Sequence, residues 1–373
     1  METAIESQNV KIVNEKDDVL YQNLMKENDN FSFYLFDYAK PQKNFNKLRT
    51  QFPKISLWFD MSTNNEPTLL SELCEIGLNF NCFNYPEGKM LRDKSAKSKI
   101  TISNSILNKN EVEKLSALNI DSIRVGSIEQ VDLVKINLPN VSIILDISTT
   151  RFGVNTAQGY EIIKECKAKN ANLIGIFSNE KNSVNLTKMI KFYNEIFTQE
   201  GFPLKQIFIE EAAMFENPIQ INELANQYII NGIVHRSLIK NYLTCFDYVI
   251  QEKFFEESKK IHYHVHNLEF INGRYFDDQE SFVPSDRFID KNEKKYFVSV
   301  YGPTCDGANY LVRDYPYAKL PPELKYIIIE NIGCNSIIYG GSKFNGFDYS
   351  ETTKLLRVYN KYNLYYLLFI ICI

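Results

Sequence analysis

Several kinds of site have too little material here to be built. The seven cysteines (Cys74, Cys82, Cys166, Cys245, Cys305, Cys334 and Cys372) are an odd, scattered set with no C-x-x-C pair. That suits a reducing compartment better than a disulfide framework. With four histidines, no Ser-His-Asp or Cys-His set is placed by a motif. A net charge of -4, with both signs mixed along the chain, gives no electrostatic case for nucleic acid or an anionic membrane. The first residues, METAIESQNVKIVNEKDD, have no basic stretch followed by an apolar core, so no signal peptide is expected. The apolar end, Asn363 to Ile373, holds a run of about ten residues against ~20 for a helical span. A last strand or an aberrant gene end is expected there, not an anchor, and the expected location is cytoplasmic.

What the chain does have is alternation. Strand-like runs recur at Ile55–Met61, Phe80–Phe83, Lys99–Ser103 and Asp121–Val125, then at Val141–Ile147, Leu173–Phe177, Gln206–Glu210 and Gly232–Arg236. Between them lie apolar residues at helical spacing, among them Leu69/Leu70/Leu73/Ile76, Val112/Leu115/Leu118, Ile162/Ile163/Cys166 and Met189/Ile190/Tyr193/Ile196/Phe197. Eight strands alternating with helices predict a (βα)8 barrel, with an open doubly wound sheet as the alternative. After about Leu243 the chain turns Tyr/Phe/Val-rich with turn clusters such as Asn272-Gly273 and Gly340-Gly341, which predicts a mainly β second domain. Val10–Val13 and Phe31–Leu35 are expected to join that sheet. The expected organisation is N-terminal strands over 1–36, the barrel over 37–243, the β domain over 244–360 and an apolar tail over 361–373.

Within the β domain stands YGPTCDG, Tyr301 to Gly307, after the strand-like Tyr296–Val300. Glycine and proline hold a thiol, Cys305, and a carboxylate, Asp306, on a tight turn. With Glu330-Asn331-Ile332-Gly333, Phe344–Phe347, Gly77–Cys82 and Arg151–Gly153, this motif resembles the eukaryotic ornithine decarboxylase family. These are fold-type III pyridoxal phosphate decarboxylases and their relatives, including the antizyme inhibitors. The resemblance runs from Phe33 to about Tyr359. It implies a racemase-like (βα)8 barrel, a C-terminal β-sandwich or barrel domain completed by the N-terminal segment, and a dimer. It also implies that the loop works in trans, with Cys305 aiding protonation in the other subunit and Asp306 binding the distal amine of a diamine-type substrate.

The resemblance also tells which residues would hold pyridoxal phosphate, and most are replaced. The family's Schiff-base lysine falls on Ser62, which cannot form an imine; Lys54 precedes the strand and is a poor substitute. The phosphate-binding triple glycine falls on Ala212, Ala213 and Met214. Beside them Glu211 adds a charge that would repel a phosphate by about 4 kcal/mol at ~4 Å. The carboxylate for the pyridine nitrogen falls on Ile233, the stacking histidine on Asn179, a barrel arginine on Asp146 and a phosphate-contacting tyrosine on Asn335. The aspartates fall on Asn81 and His266. Arg236 and Glu87 match as remnants. No cofactor is therefore expected in this chain.

His262, His264 and His266 alternate, so on a strand they share one face with neighbours ~7 Å apart; an exposed face is expected rather than a metal site. Gly340–Lys343 lacks P-loop spacing and reads as a turn. The expected role is a pseudoenzyme of polyamine metabolism. It would be a homodimer, a heterodimer partner of an active ornithine decarboxylase, or an antizyme-binding regulator through Leu107–Val134, where Lys109 and Lys114 lie. The alternatives are an active decarboxylase with a replacement lysine, or a repurposed barrel. In the latter, Asp60, Asp146, Glu210 and Glu211 would form an acidic mouth for a polyamine or metal.

Overall fold

A computed structural model describes residues 10–11, 18–28, 32–37, 39–104, 107–148, 153–240, 242–265, 284–289, 292, 295–302, 310–332, 354–358, 365–366 and 368–370. Among these, two strands precede the barrel, β1 (Val10–Lys11) and β2 (Phe33–Asp37). The barrel strands are β3 (Ser56–Asp60), β4 (Asn79–Cys82), β5 (Ile100–Ile102), β6 (Ser122–Val125), β7 (Ser142–Asp146), β8 (Leu173–Ser178), β9 (Gln206–Glu210) and β10 (Ile229–Val234). Eight more follow: β11 (Leu243–Phe255), β12 (Lys260–Val265), β13 (Tyr296–Tyr301), β14 (Tyr310–Tyr317), β15 (Tyr326–Ile332), β16 (Lys354–Val358), β17 (Tyr365–Tyr366) and β18 (Leu368–Ile370). The chain divides into two compact units, Gln42–Leu238 and the combined segments Met1–Pro41 and Ile239–Ile373.

In the first unit β3 to β10 close a parallel barrel, β10 pairing with both β9 and β3. The (βα)8 expectation therefore holds. The open sheet fails because the last strand closes onto the first. Most crossover helices start where an Asn or Ser accepts from a backbone amide. Asn84 takes Glu87 N (3.1 Å), Asn108 takes Glu111 N (3.0 Å), Asn217 takes Gln220 N (3.2 Å), and Asn155 forms a reciprocal box with Gln158. Each such cap is worth about 1 kcal/mol.

Along each strand alternate side chains enter the barrel. Its lower layer is polar and internally paired. Asn79 Nδ2 donates to Ser56 Oγ (3.1 Å), Ser122 Oγ to Thr101 Oγ1 (2.9 Å), and Asn231 Nδ2 to Gln206 Oε1 (3.0 Å). Above it Trp58, Ile144, Phe177, Phe208 and Ile233 pack into one apolar plug. Trp58 donates its indole N–H to Asn231 Oδ1 (2.9 Å), so the bulkiest of these side chains buries no orphan donor. The plug sets the floor of the mouth.

The expected eighth barrel strand, Gly232–Arg236, needs correction. The strand is Ile229–Val234, and Arg236 opens a short helix, Arg236–Ile239. The Glu211 carboxylate accepts from His235 N and Ser237 N and so draws the chain off the ladder.

In the second unit one sheet runs β14-β13-β12-β11-β2-β16-β18, with β15 also paired to β11. The N-terminal β2 is thus an integral strand of the C-terminal sheet, whereas Val10–Lys11, expected to join it too, pairs antiparallel with β17 in a separate two-stranded ladder. The helix Asp18–Glu27, absent from the strand-based reading of this segment, packs Leu20, Tyr21, Leu24 and Met25 against Leu35, Phe246, Tyr326 and Ile328. Arg287 fastens it, with contacts of 2.8 Å to Asp18 and 2.7 Å to Glu330. The apolar end supplies β18, antiparallel to β16. No helix among the described residues is long and apolar enough to cross a membrane.

Candidate functional site at the barrel mouth

The C-terminal ends of the barrel strands bring Asp60, Asn81, Arg124, Asp146 and Glu210 to one level, where barrel chemistry is ordinarily placed. Strand pairing sets Asp60 beside Asn81, whose Nδ2 donates to Asp60 Oδ2 (3.1 Å). Asn81 is 2% exposed and its Oδ1 has no hydrogen-bond partner. Asp60 Oδ1 accepts from the backbone and hydroxyl of Ser62 (2.9 and 2.7 Å). Ser62 itself lies past the strand, exposed in the turn. The residue that closes β3 facing inward is Asp60, so the mouth holds a carboxylate there. None of the eight barrel strands contains a lysine. Lys54 is exposed, bonded to Asn226 at the other end of the strand.

Glu87 stands in the first turn of the helix Tyr85–Lys94 and accepts from Phe83 N (2.6 Å). Burial raises its carboxyl to about 7, against the pull of that hydrogen bond and with help from Asp60. At neutral pH it is therefore partly protonated.

Across the mouth Arg124 pairs with Asp146 at 3.8 Å, both side chains well buried, and lies 3.5 Å from the centre of the Phe177 ring. Burial pulls its guanidinium below the ordinary value, opposed by Asp146, Glu210 and Asp60. Sequence reading found the acidic Asp146 and missed its partner. The sequence offered only that Arg124 lies in the preceding strand-like run; that the two side chains meet follows from the register of β6 on β7. A cavity of about 120 Å³ opens here, lined by Ser103, Asn104, Arg124, Gly126, Ser127 and Asp146 among others.

The turn after β10 carries the third group. Glu211 Oε2 accepts from His235 N (3.0 Å), Ser237 N (3.2 Å) and Ser237 Oγ (2.7 Å). His235 Nδ1 stands 2.8 Å from Glu211 Oε1, and its Nε2 stands 3.4 Å from Glu210 Oε2. Burial pushes the Glu211 carboxyl up, but the bonds and charge of His235 and the Ser237 hydroxyl outweigh it and bring it to about 2. For His235 burial pulls down and the two carboxylates prevail, giving about 10. Glu211, expected to repel a phosphate, is itself paired with His235. It belongs to an ion pair that local sequence could not reveal, because the partner comes from the next strand.

The remaining predicted positions divide. Ala212, Ala213 and Met214 form a helical turn, Glu211–Glu216, rather than an open glycine loop. Met214 is fully buried, and its sulphur fills the space a Cβ would need at Gly232. Ile233 belongs to the apolar plug. Arg236, opening its short helix, and Asn179, just past β8, are half-buried. His262 and His264 share a half-buried face of β12 and pack on the Tyr301 ring. No group of three or more metal-ligating side chains occurs among the described residues. Cys305, Asp306, His266 and Asn335 lie outside the described residues.

The chain is 22% identical over 340 residues to ornithine decarboxylase of Saccharomyces cerevisiae, covering 76% of this chain and 72% of that one. The chain is ornithine decarboxylase-like. Among solved structures, the Paramecium bursaria Chlorella virus arginine decarboxylase bound to agmatine superposes with a TM-score of 0.77 at 17% identity, over 91% of this chain and all of that one. Ornithine decarboxylase from Entamoeba histolytica gives 0.71 at 21%, over 85% and 96%. These likenesses establish the barrel-plus-β-domain fold of the decarboxylases. No protein-family model matches the chain.

Proposed function

We propose that this chain is a catalytically silent ornithine decarboxylase-like protein of polyamine metabolism, acting as a heterodimer partner of an intact ornithine decarboxylase or as an antizyme-binding regulator. The observation that carries the reading is that none of the barrel strands offers an amine to hold an aldehyde cofactor. No barrel strand bears a lysine, and the inward end of β3 is Asp60. Pyridoxal phosphate also needs free amide donors for its dianion. Here Glu211 already takes those of His235 and Ser237. It needs a carboxylate at the pyridine nitrogen, and Ile233 stands there, inside the apolar plug. The residues present do not fit the group, and no step is assigned to it in this barrel.

The loop Tyr301–Gly307 keeps both reactive side chains, Cys305 and Asp306. In a dimer whose loops reach across, it would complete a partner's site while the barrel behind it stays idle. Heterodimer partner is preferred over antizyme decoy because the antizyme-binding region, Leu107–Val134, offers few basic residues, chiefly Lys109 and Lys114. Lys109 is also paired with Glu113 at 3.8 Å.

The test is co-expression with an intact ornithine decarboxylase whose own loop cysteine is replaced by alanine. Decarboxylation should return with this chain present and disappear again with Cys305→Ala. A borohydride-fixed pyridoxyl adduct on the chain purified alone would overturn the reading and favour an active enzyme. A second reading, a mouth that binds a cation such as a polyamine, is favoured by one observation. The buried, unpartnered Asn81 Oδ1 sits beside Asp60, whose field reaches Glu87, and has an acceptor to offer to an ammonium group. Calorimetry with putrescine and with Asn81→Leu separates it: specific heat lost in the variant supports a cation site.

A further inference from the structure

We propose that the Glu211 carboxylate is a permanent internal occupant of the anion seat made by the Val234–Ser237 turn, so that the barrel closes with no phosphate-bearing cofactor. This deepens the silent-barrel reading by naming what stands in place of the cofactor's anion. Three donors from this turn, two backbone amides and one hydroxyl, converge on a single oxygen at 2.7–3.2 Å. The other oxygen faces the His235 imidazole at 2.8 Å. That is the coordination a bound anion would receive, supplied to a side chain that is 9% exposed.

The occupant cannot readily leave. Glu211 begins directly where β9 ends, and β9 and β10 are paired through Glu210 and Ile233. Three residues on, Met214 is locked against Gly232. Glu210 holds the far nitrogen of His235 at 3.4 Å, so swinging Glu211 outward would strip the imidazolium of its nearer counter-ion. An incoming phosphate would meet Glu210 and Glu211 together. Both members of the pair stay ionised across the physiological range, with Glu211 near 2 and His235 near 10. The pair therefore does not depend on a change of pH to form.

The full chain, Glu211→Ala and Glu211→Gln are compared by thermal melting in chloride and in inorganic phosphate at matched ionic strength. Wild type should melt at the same temperature in both. Glu211→Ala should melt roughly 5–10 °C lower, from leaving two amides and a hydroxyl without their acceptor and stripping a buried imidazolium of its nearer carboxylate, and phosphate should restore part of that loss. In Glu211→Gln the His235 imidazole, followed by NMR, should titrate well below its wild-type value of about 10. The proposal is overturned if phosphate stabilises wild type as much as the alanine variant. It is equally overturned if the folded alanine variant ignores phosphate. Should Glu211→Ala fail to fold, an unchanged His235 titration in Glu211→Gln overturns it. A borohydride-fixed adduct on wild type would instead defeat the silent-barrel reading, so the two failures are distinguishable.

Discussion

Replacing Arg124 by Met should be among the most damaging single changes in the barrel, because it removes a buried cation while keeping the length of its stem. The guanidinium lies 3.8 Å from Asp146, with side-chain exposures of 14% and 8%. At that distance and an effective dielectric near 20 the attraction is about 4 kcal/mol. Stacking over Phe177 at 3.5 Å adds about 1–2 kcal/mol. The original desolvation of the arginine is recovered, which offsets part of this. The carboxylate left behind is uncompensated, however, and Glu210 and Asp60 share its field. Breaking such a pair costs about 3–5 kcal/mol. For a unit of this size that corresponds to a fall in melting temperature of roughly 6–20 °C. Chemical denaturation of Arg124→Met, Asp146→Leu and the double variant forms the cycle. The double variant should recover more than half of the loss, since two apolar side chains leave no orphan charge. A single-variant loss below about 1 kcal/mol, or strict additivity in the cycle, would refute the reasoning.

Other outcomes follow from the same geometry. Glu87, raised from 4.5 to about 7, contributes stability that is complete below about 4.5 and lost as pH rises through 7. Glu87→Gln should therefore stabilise the chain at pH ~8 by up to about 3 kcal/mol and leave it unchanged at pH ~4, read from denaturant midpoints. The depressed Glu211 contributes above about 4.5, and that contribution is lost as pH falls toward 2. The raised His235 contributes fully below about 6.5, and its share is lost as pH rises toward 10. The melting temperature should fall on both sides of that interval, and Glu211→Gln should flatten both limbs. Gly175→Ala would set a Cβ inside the Gln206 carbonyl, where β8 and β9 pair. It should cost about 1–3 kcal/mol or more by urea unfolding, because backbone rather than a flexible side chain must yield.

Much of the architecture was legible because periodicity survives heavy substitution. Val141–Ile147 and Gln206–Glu210 are apolar runs of strand length. Met189 to Phe197 keep helical spacing, and YGPTCDG packs its turn-formers and both reactive groups into seven consecutive residues. The helix Asp18–Glu27 escaped notice because it is short and lies between two strand-like runs, so its apolar residues gave no long period. The eighth barrel strand was misplaced because its end is set by a carboxylate 24 residues earlier, Glu211 bonding to His235 N.

By itself, then, the sequence determined the order of strands and helices, the family likeness and the absence of lysine from the first barrel strand, since each is written in consecutive residues. Tertiary structure alone decided what the replacements do: that Asp146 answers Arg124, that Glu211 is paired with His235, and that Asp60 rather than Ser62 faces the interior. Charge pairing acts through space between neighbouring strands, and partners more than 20 residues apart in the chain become adjacent only when successive strands pair side by side.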